Sequence, residues 1–342
     1  MRRLMPLLLL AACTAAPPPQ GRAPYQPTAA MGQELAELQR LRPQPRDDLN
    51  LADARRQPRL LDAARAMDNV RGLPFPDLDT PQPQLVRAES TTGPLMAALY
   101  KPKDPPKAPK LAPLVLFFAG GGFATPDADA AGLDAGALVQ RTGSVVVAVT
   151  MRPAPEARFP ATHADAVAVL AWARENAKSW GADPARIALA GEGTGALLAL
   201  TTAIAARDQH AGRISQLVLI TPMAAPPGRN AWAGARPRLL ENVRWDLRQY
   251  VGGPIPADAR IDPLRLADLR GLPPVTMVLA EGDPLRPDAE ALLDRLRASG
   301  VRAQARIYPG TSAEFFALGQ QVPDAASAEG FVADQLRTAF GR

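Results

Sequence analysis

Arg186-Ile187-Ala188-Leu189-Ala190-Gly191-Glu192-Gly193-Thr194-Gly195 is the stretch that decides the reading of this chain. A short apolar run of this kind fits a buried β-strand. Three glycines at every second position then mark a turn too tight for side chains. Gly195 to Arg207 continues as a helix, so the segment predicts strand, sharp turn and helix in immediate succession. Gly193 sits at the tip of that turn and carries no side chain.

Working outward, strands and helices alternate. Gln84 to Glu89 and Leu95 to Tyr100 read as paired strands around Thr92-Gly93. Leu114 to Phe118 and Ser144 to Thr150 are continuous apolar runs, as in strands buried on both faces. Ala161 to Trp180 reads as helix, Ile214 to Ile220 as strand, and Val275 to Glu281 and Arg302 to Tyr308 as strands flanking a helix from Pro287 to Ser299. Ala325 to Phe340 closes the chain as a helix. This order predicts an α/β fold with a mostly parallel central sheet flanked by helices. Upstream, Leu35, Leu38 and Leu41 recur at helical spacing, and residues 31–80 are expected to form a helical cap region. The Pro-rich stretch 222–261, with a short helical piece near Leu239 to Leu247, reads as a lid inserted into the main domain of residues 81–342.

The bulk numbers exclude some classes. Charged residues make up 21% and hydrophobic ones 47%, which argues against disorder. The net charge of +5 comes from scattered arginines, and the one dense basic run, Lys101 to Lys110, lies in a Pro-rich loop, so no nucleic-acid partner is expected. Cys13 is the single cysteine, which excludes disulfides and cysteine metal sites. Arg2 and Arg3 followed by the apolar run Leu4 to Ala12 form an export signal, far short of the roughly 20 residues that span a bilayer. Leu10-Ala11-Ala12-Cys13 resembles a bacterial lipobox. The resemblance implies signal removal at residues 1–12, lipidation of Cys13, a Pro/Ala-rich tether over 13–30 and a periplasm-facing place in the cell envelope. Thr14 is not the aspartate associated with inner-membrane retention, which by resemblance implies the outer membrane.

Six segments, in order, resemble the hormone-sensitive-lipase-like esterases of the α/β-hydrolase superfamily. They are Ala119-Gly120-Gly121-Gly122-Phe123, Arg152-Pro153-Ala154-Pro155-Glu156, Gly181-Ala182-Asp183-Pro184, the glycine turn around Gly193, Asp283-Pro284-Leu285-Arg286 and Tyr308-Pro309-Gly310. The resemblance implies an α/β-hydrolase fold with a helical cap. It implies oxyanion donors in Gly120, Gly121, Gly122 and Thr194, and a triad acid in Asp283. It also places Gly193 where the family has its nucleophilic serine, Ala313 where it has the base histidine, and Ala119 where the glycine-rich loop begins with histidine. Glycine at the tip relieves backbone strain of order 1–3 kcal/mol.

The family's Ser-His-Asp chemistry therefore cannot run here as written. His163 and His210 are the only histidines; His163 is expected at a helix start near the surface, and His210 on the far edge of the sheet. Ser312 and Glu314 flank Ala313, and Glu314 and Glu192 are expected at solvent. No spacing suggests a metal, and no cofactor is expected. These residues predict a catalytically inactive, ester-binding or scaffolding lipoprotein for a small apolar or acyl ligand. The alternative is an active carboxylic-ester hydrolase with rearranged catalytic groups, such as Thr194 or Ser312 with His163.

Overall fold

The computed structural model describes residues 25–75, 81–106, 110–228, 236–265 and 268–341. The expected export signal, Cys13 and most of the expected tether lie outside the described residues. Eight strands form one sheet: β1 (Gln84–Ala88), β2 (Leu95–Tyr100), β3 (Ala112–Phe118), β4 (Val145–Val149), β5 (Ala182–Glu192), β6 (Gln216–Ile220), β7 (Val275–Ala280) and β8 (Ala303–Tyr308). Their order across the sheet is β1-β2-β4-β3-β5-β6-β7-β8. Only β2 runs antiparallel to its neighbours, β1 and β4, and β4 through β8 are parallel.

The period-2 alternation of a strand divides the core between two layers. Leu114, Leu116 and Phe118 of β3 point into one apolar cluster, and Val115 and Phe117 into the other. Every residue of β3, β4, β6 and β7 is buried, which is why these segments read as unbroken apolar runs. On the first face lie α5 (Ala161–Asn176), α6 (Thr194–Asp208) and α8 (Arg286–Ala298). On the second lie α1 (Ala29–Arg40), α3 (Leu60–Arg71), α4 (Ala128–Thr142) and α9 (Pro323–Ala339). The N-terminal helices α1 and α3 thus complete the second core layer through Met31, Leu38, Leu60 and Leu61. Between them a short α2 (Leu51–Arg55) runs past the glycine-rich loop.

The cap helix α7 spans Pro237–Val251, well beyond the piece anticipated near Leu239 to Leu247. Pro237 starts it and Gly252, in left-handed conformation, ends it. All the loops that matter next leave the carboxyl ends of parallel strands: β3, β5, β7 and β8. Such a sheet gathers its ligand site at that edge.

Candidate active site

β5 ends at Glu192 and α6 begins at Thr194, so Gly193 alone makes the turn, with φ 54° and ψ −114°. Its N–H donates to the Ile220 carbonyl at 2.9 Å, and its own carbonyl accepts from Met223 N–H at 3.1 Å. The flanking glycines are required by close packing. A Cβ on Gly191 would lie 2.4 Å from the Gly195 carbonyl carbon, and one on Gly195 would lie 2.1 Å from the Phe118 oxygen. Gly193 differs from both. A Cβ there meets nothing within 4 Å, so the obstacle to a side chain is backbone strain and not space.

The glycine-rich loop follows β3. Gly121 and Gly122 have φ of 90° and 133°, and Gly122 packs so tightly that a Cβ would sit 2.5 Å from the Asp246 carboxyl. Gly121, Gly122, Gly193 and Thr194 line one pocket together with Asp283, Ala313, Glu314 and Glu192. Leu239, Val243 and Leu247 of α7 roof it, with Phe123, Met223 and Leu285. Its cavity volume is about 70 Å³, which suits a short acyl group. Gly120 lies one residue back from the lining, its carbonyl accepting from Asp127 N–H at 2.9 Å. Among the described residues, no acceptor faces the amides of Gly121, Gly122 or Thr194. Thr194 stands at a helix N-terminus, where the amide has no intrahelical partner.

Asp283 is 3% exposed, and one of its carboxylate oxygens accepts from Leu285 N–H at 2.8 Å. Burial pushes its carboxyl up to about 7, against the opposing pull of that amide, Arg236 and Arg286. Glu192 corrects the expectation of a solvent-exposed side chain: it is 6% exposed. Burial, then the carboxylates of Glu314, Asp127 and Asp283, raise it to about 8. Behind it on α4, Asp134 is fully buried, and burial followed by Glu192 holds its carboxyl far above the usual range. Among the described residues, neither Asp134 oxygen nor Glu192 Oε1 has a hydrogen-bond partner. Glu314, in contrast, is partly exposed at the pocket rim, with φ 69°, 3.6 Å from Arg236.

Acids raised by burial hold protons that the unfolded chain would release. Stability from Glu192 and Asp283 is therefore fully present below the unfolded value near 4 and declines as pH rises through about 7 and about 8, and Asp134 acts in the same direction. Glu192→Gln keeps the shape and removes the ionisation. It is expected to raise Tm at pH 8 by about 2–4 °C, the effect of roughly 1 kcal/mol in a large domain, with no gain at pH 5. Thermal scans at the two pH values check this.

The histidine expectations divide. His163 does start α5, but it is 4% exposed, not at the surface. Its Nδ1 bonds with Thr201 Oγ1 at 2.9 Å, and its ring packs among Phe123, Phe159 and Tyr250. Burial lowers its pKa to about 3, so it is neutral. Phe123 lines the pocket and His163 does not, so the structure does not bring His163 to Thr194. Ser312 is fully buried and its Oγ accepts from Arg236 at 2.8 Å, outside the pocket lining. His210 is exposed beyond the far end of α6. Among the described residues no cluster of metal-ligating side chains occurs.

Sequence reasoning missed Asp246, Arg46 and Arg236. Asp246 sits on the buried side of α7, where its carboxylate accepts from Ala124 N–H at 2.9 Å, from Thr125 and from the buried Arg46. A charged residue within the pattern Leu239, Val243, Leu247 was the available signal.

Strand order, the glycine turn at the β5–α6 junction and the glycine-rich loop after β3 define an α/β-hydrolase. A family profile described as alpha/beta hydrolase fold matches residues 115–317, and the chain belongs to that family, which holds the hormone-sensitive-lipase-like esterases. Ethyl acetate hydrolase of Pseudomonas putida is 31% identical over 242 residues, covering 68% of this chain and 74% of that protein. Carboxylesterase NlhH of Mycobacterium tuberculosis is 33% identical over 234 residues, 66% of this chain and 73% of its own. The solved esterase of Pyrobaculum calidifontis superposes with a TM-score of 0.76 at 28% identity, covering 88% of this chain and 97% of that one. EstE1, a thermostable carboxylesterase from a metagenomic library, gives 0.74 at 30% identity, covering 86% and 98%. These relatives overturn the expectation of a catalytically inactive binder or scaffold, because they are named for ester hydrolysis; the alternative, an ester hydrolase with rearranged groups, is the reading they favour.

Proposed function

We propose that this chain is a carboxylic-ester hydrolase that uses water where its relatives' frame would place a serine hydroxyl. The observation that carries the reading is Asp283: a buried carboxyl with pKa near 7, in one small pocket with Gly193, Ala313 and the free amides. Water bounded by Gly193, Ala313 and Asp283 gives its proton to the Asp283 carboxylate as its oxygen adds to the ester carbonyl. The carbonyl π pair moves to oxygen, and the amides of Gly121, Gly122 and Thr194 hold that charge. Collapse breaks the bond to the alkoxide, which takes the proton back from Asp283 and leaves as alcohol. The second product is the acid. A site with its oxyanion donors and binding pocket intact but its triad broken retains roughly 10³–10⁴-fold catalysis over water. Glu192, at about 8, is largely protonated at neutral pH and does not compete for the water proton.

The test is a fluorophosphonate probe with p-nitrophenyl acetate as substrate. Turnover without a covalent adduct supports water attack. An adduct on Thr194 overturns it in favour of a threonine nucleophile.

The envelope placement is part of the same proposal. The apolar run before Cys13 supports export and lipidation, and the described residues begin at Tyr25, within the tether. Cys13→Ala is expected to shift the protein from the detergent phase to the aqueous phase on Triton X-114 partition. Retention in the detergent phase contradicts lipidation.

A further inference from the structure

The glycine-rich loop lacks any polar side chain of its own at its start, since Ala119 precedes Gly120. Its backbone is nevertheless gripped from outside. We infer that the N-terminal segment is an arginine clamp, with Arg46, Arg55 and Arg59 as positioning residues for the donors at Gly121 and Gly122.

The three side chains converge on residues 121–127 from positions 60 to 80 residues upstream. Arg55 Nε donates to the Ala124 carbonyl at 3.0 Å, and its Nη2 to the Ala154 carbonyl at 2.8 Å, while Glu156 pairs with the same guanidinium at 2.6 Å. Arg59 donates to the Thr125 carbonyl at 2.9 Å and the Pro126 carbonyl at 3.1 Å, and pairs with Asp127 at 2.9 Å. Arg46 acts through Asp246, which accepts from Ala124 N–H and from Thr125 Oγ1. Thr125 Oγ1 also lies 3.2 Å from the Gly121 carbonyl, and Asp127 N–H fixes the Gly120 carbonyl. The grip therefore reaches both peptide planes that set the direction of the Gly121 and Gly122 amides.

Those two glycines have backbone conformations that glycine reaches freely and no side chain of theirs can lock. A planar guanidinium with five donors suits several carbonyls at once, which a lysine ammonium does not match. Asp246 belongs to α7, the pocket roof, so arm, cap and loop form one connected unit. Donors aimed at a developing oxyanion lose effect when displaced by a fraction of an ångström. A clamp of this kind acts on turnover more than on substrate binding.

The experiment uses the full-length chain in detergent, with Arg55→Gln/Arg59→Gln and Arg59→Lys. Both arginines are partly exposed, so the variants avoid stranding the buried Asp246. The inference rests in part on the hydrolase reading, so two readouts are paired. The first is p-nitrophenyl acetate kinetics: kcat is expected to fall about tenfold in the double variant with KM changed less than twofold, and Arg59→Lys to recover only part of the loss. The second is amide hydrogen exchange at Ala124 and Asp127, expected to quicken at least tenfold while β3 and β5 are unchanged. If the wild-type chain shows no turnover, the hydrolase reading fails and exchange alone decides the clamp. Unaltered exchange at Ala124 and Asp127, or a loss confined to KM, overturns it.

Discussion

Gly193→Ser combined with Ala313→His is expected to raise p-nitrophenyl acetate hydrolysis at least 100-fold over the wild-type chain and to create a fluorophosphonate-reactive hydroxyl. The space for both side chains is present. A Cβ at Gly193 meets nothing within 4 Å, and Ala313 lines the same pocket as Asp283. A positioned base contributes about 10²–10⁴, and a covalent route divides one hard step into two easier ones. Asp283 would then orient the introduced imidazole instead of working on water directly. Gly193→Ser alone should bring little activity, because the serine side chain would take the place of the attacking water with no imidazole beside it: His163 lies outside the pocket lining and is held by Thr201. It should also cost stability, about 1–3 kcal/mol for a side chain at a φ of 54°. Lack of a gain in the double variant would show that the amides of Gly121, Gly122 and Thr194 no longer hold the geometry for an oxyanion.

Asp283→Asn is expected to lower kcat in the otherwise wild-type chain by about 10², the lower end of the range of a positioned general base, which leaves the residual rate above the uncatalysed reaction. The amide is nearly isosteric and can keep the bond from Leu285 N–H through its carbonyl oxygen. The pH profile gives the sharper sign. A base must be deprotonated to work, so wild-type kcat rises as pH passes about 7, the value that burial imposes on Asp283. The residual activity of Asp283→Asn should have no such limb. Folding stability moves in the opposite direction: a neutral amide relieves the buried carboxyl of its tendency to ionise, so Tm near neutral pH should not fall. A variant that loses activity together with stability would point to a structural role for Asp283.

Much of this was legible locally. The elbow is written in Gly191, Gly193 and Gly195 because each glycine answers a constraint set within a few residues or by the adjoining strand. The parallel strands were legible because two covered faces leave no polar alternation. α4 was not anticipated, since Ala130, Ala131, Gly132, Ala135 and Gly136 give it little apolar contrast between its faces. Its concealment also hid Asp134, and with it the burial of Glu192. Glu192 looks like a solvent residue between two glycines; only the stacking of β5 under the glycine-rich loop, with Gly120 against the Glu192 carbonyl, encloses it. The Arg46–Asp246 pair joins positions 200 residues apart, and no local pattern encodes such a pairing. Gly193, Ala313 and Ala119 had an opposite effect. They were plain in the sequence and suggested inactivity, a reading that the relatives named for ester hydrolysis overturn.

The most direct measurement is the initial rate of p-nitrophenyl acetate hydrolysis by the purified wild-type chain, followed across the neutral pH range against buffer alone. Water attack assisted by Asp283 predicts turnover roughly 10³-fold above the uncatalysed reaction, climbing through a single ionisation near pH 7. A rate that matches buffer at every pH would contradict it.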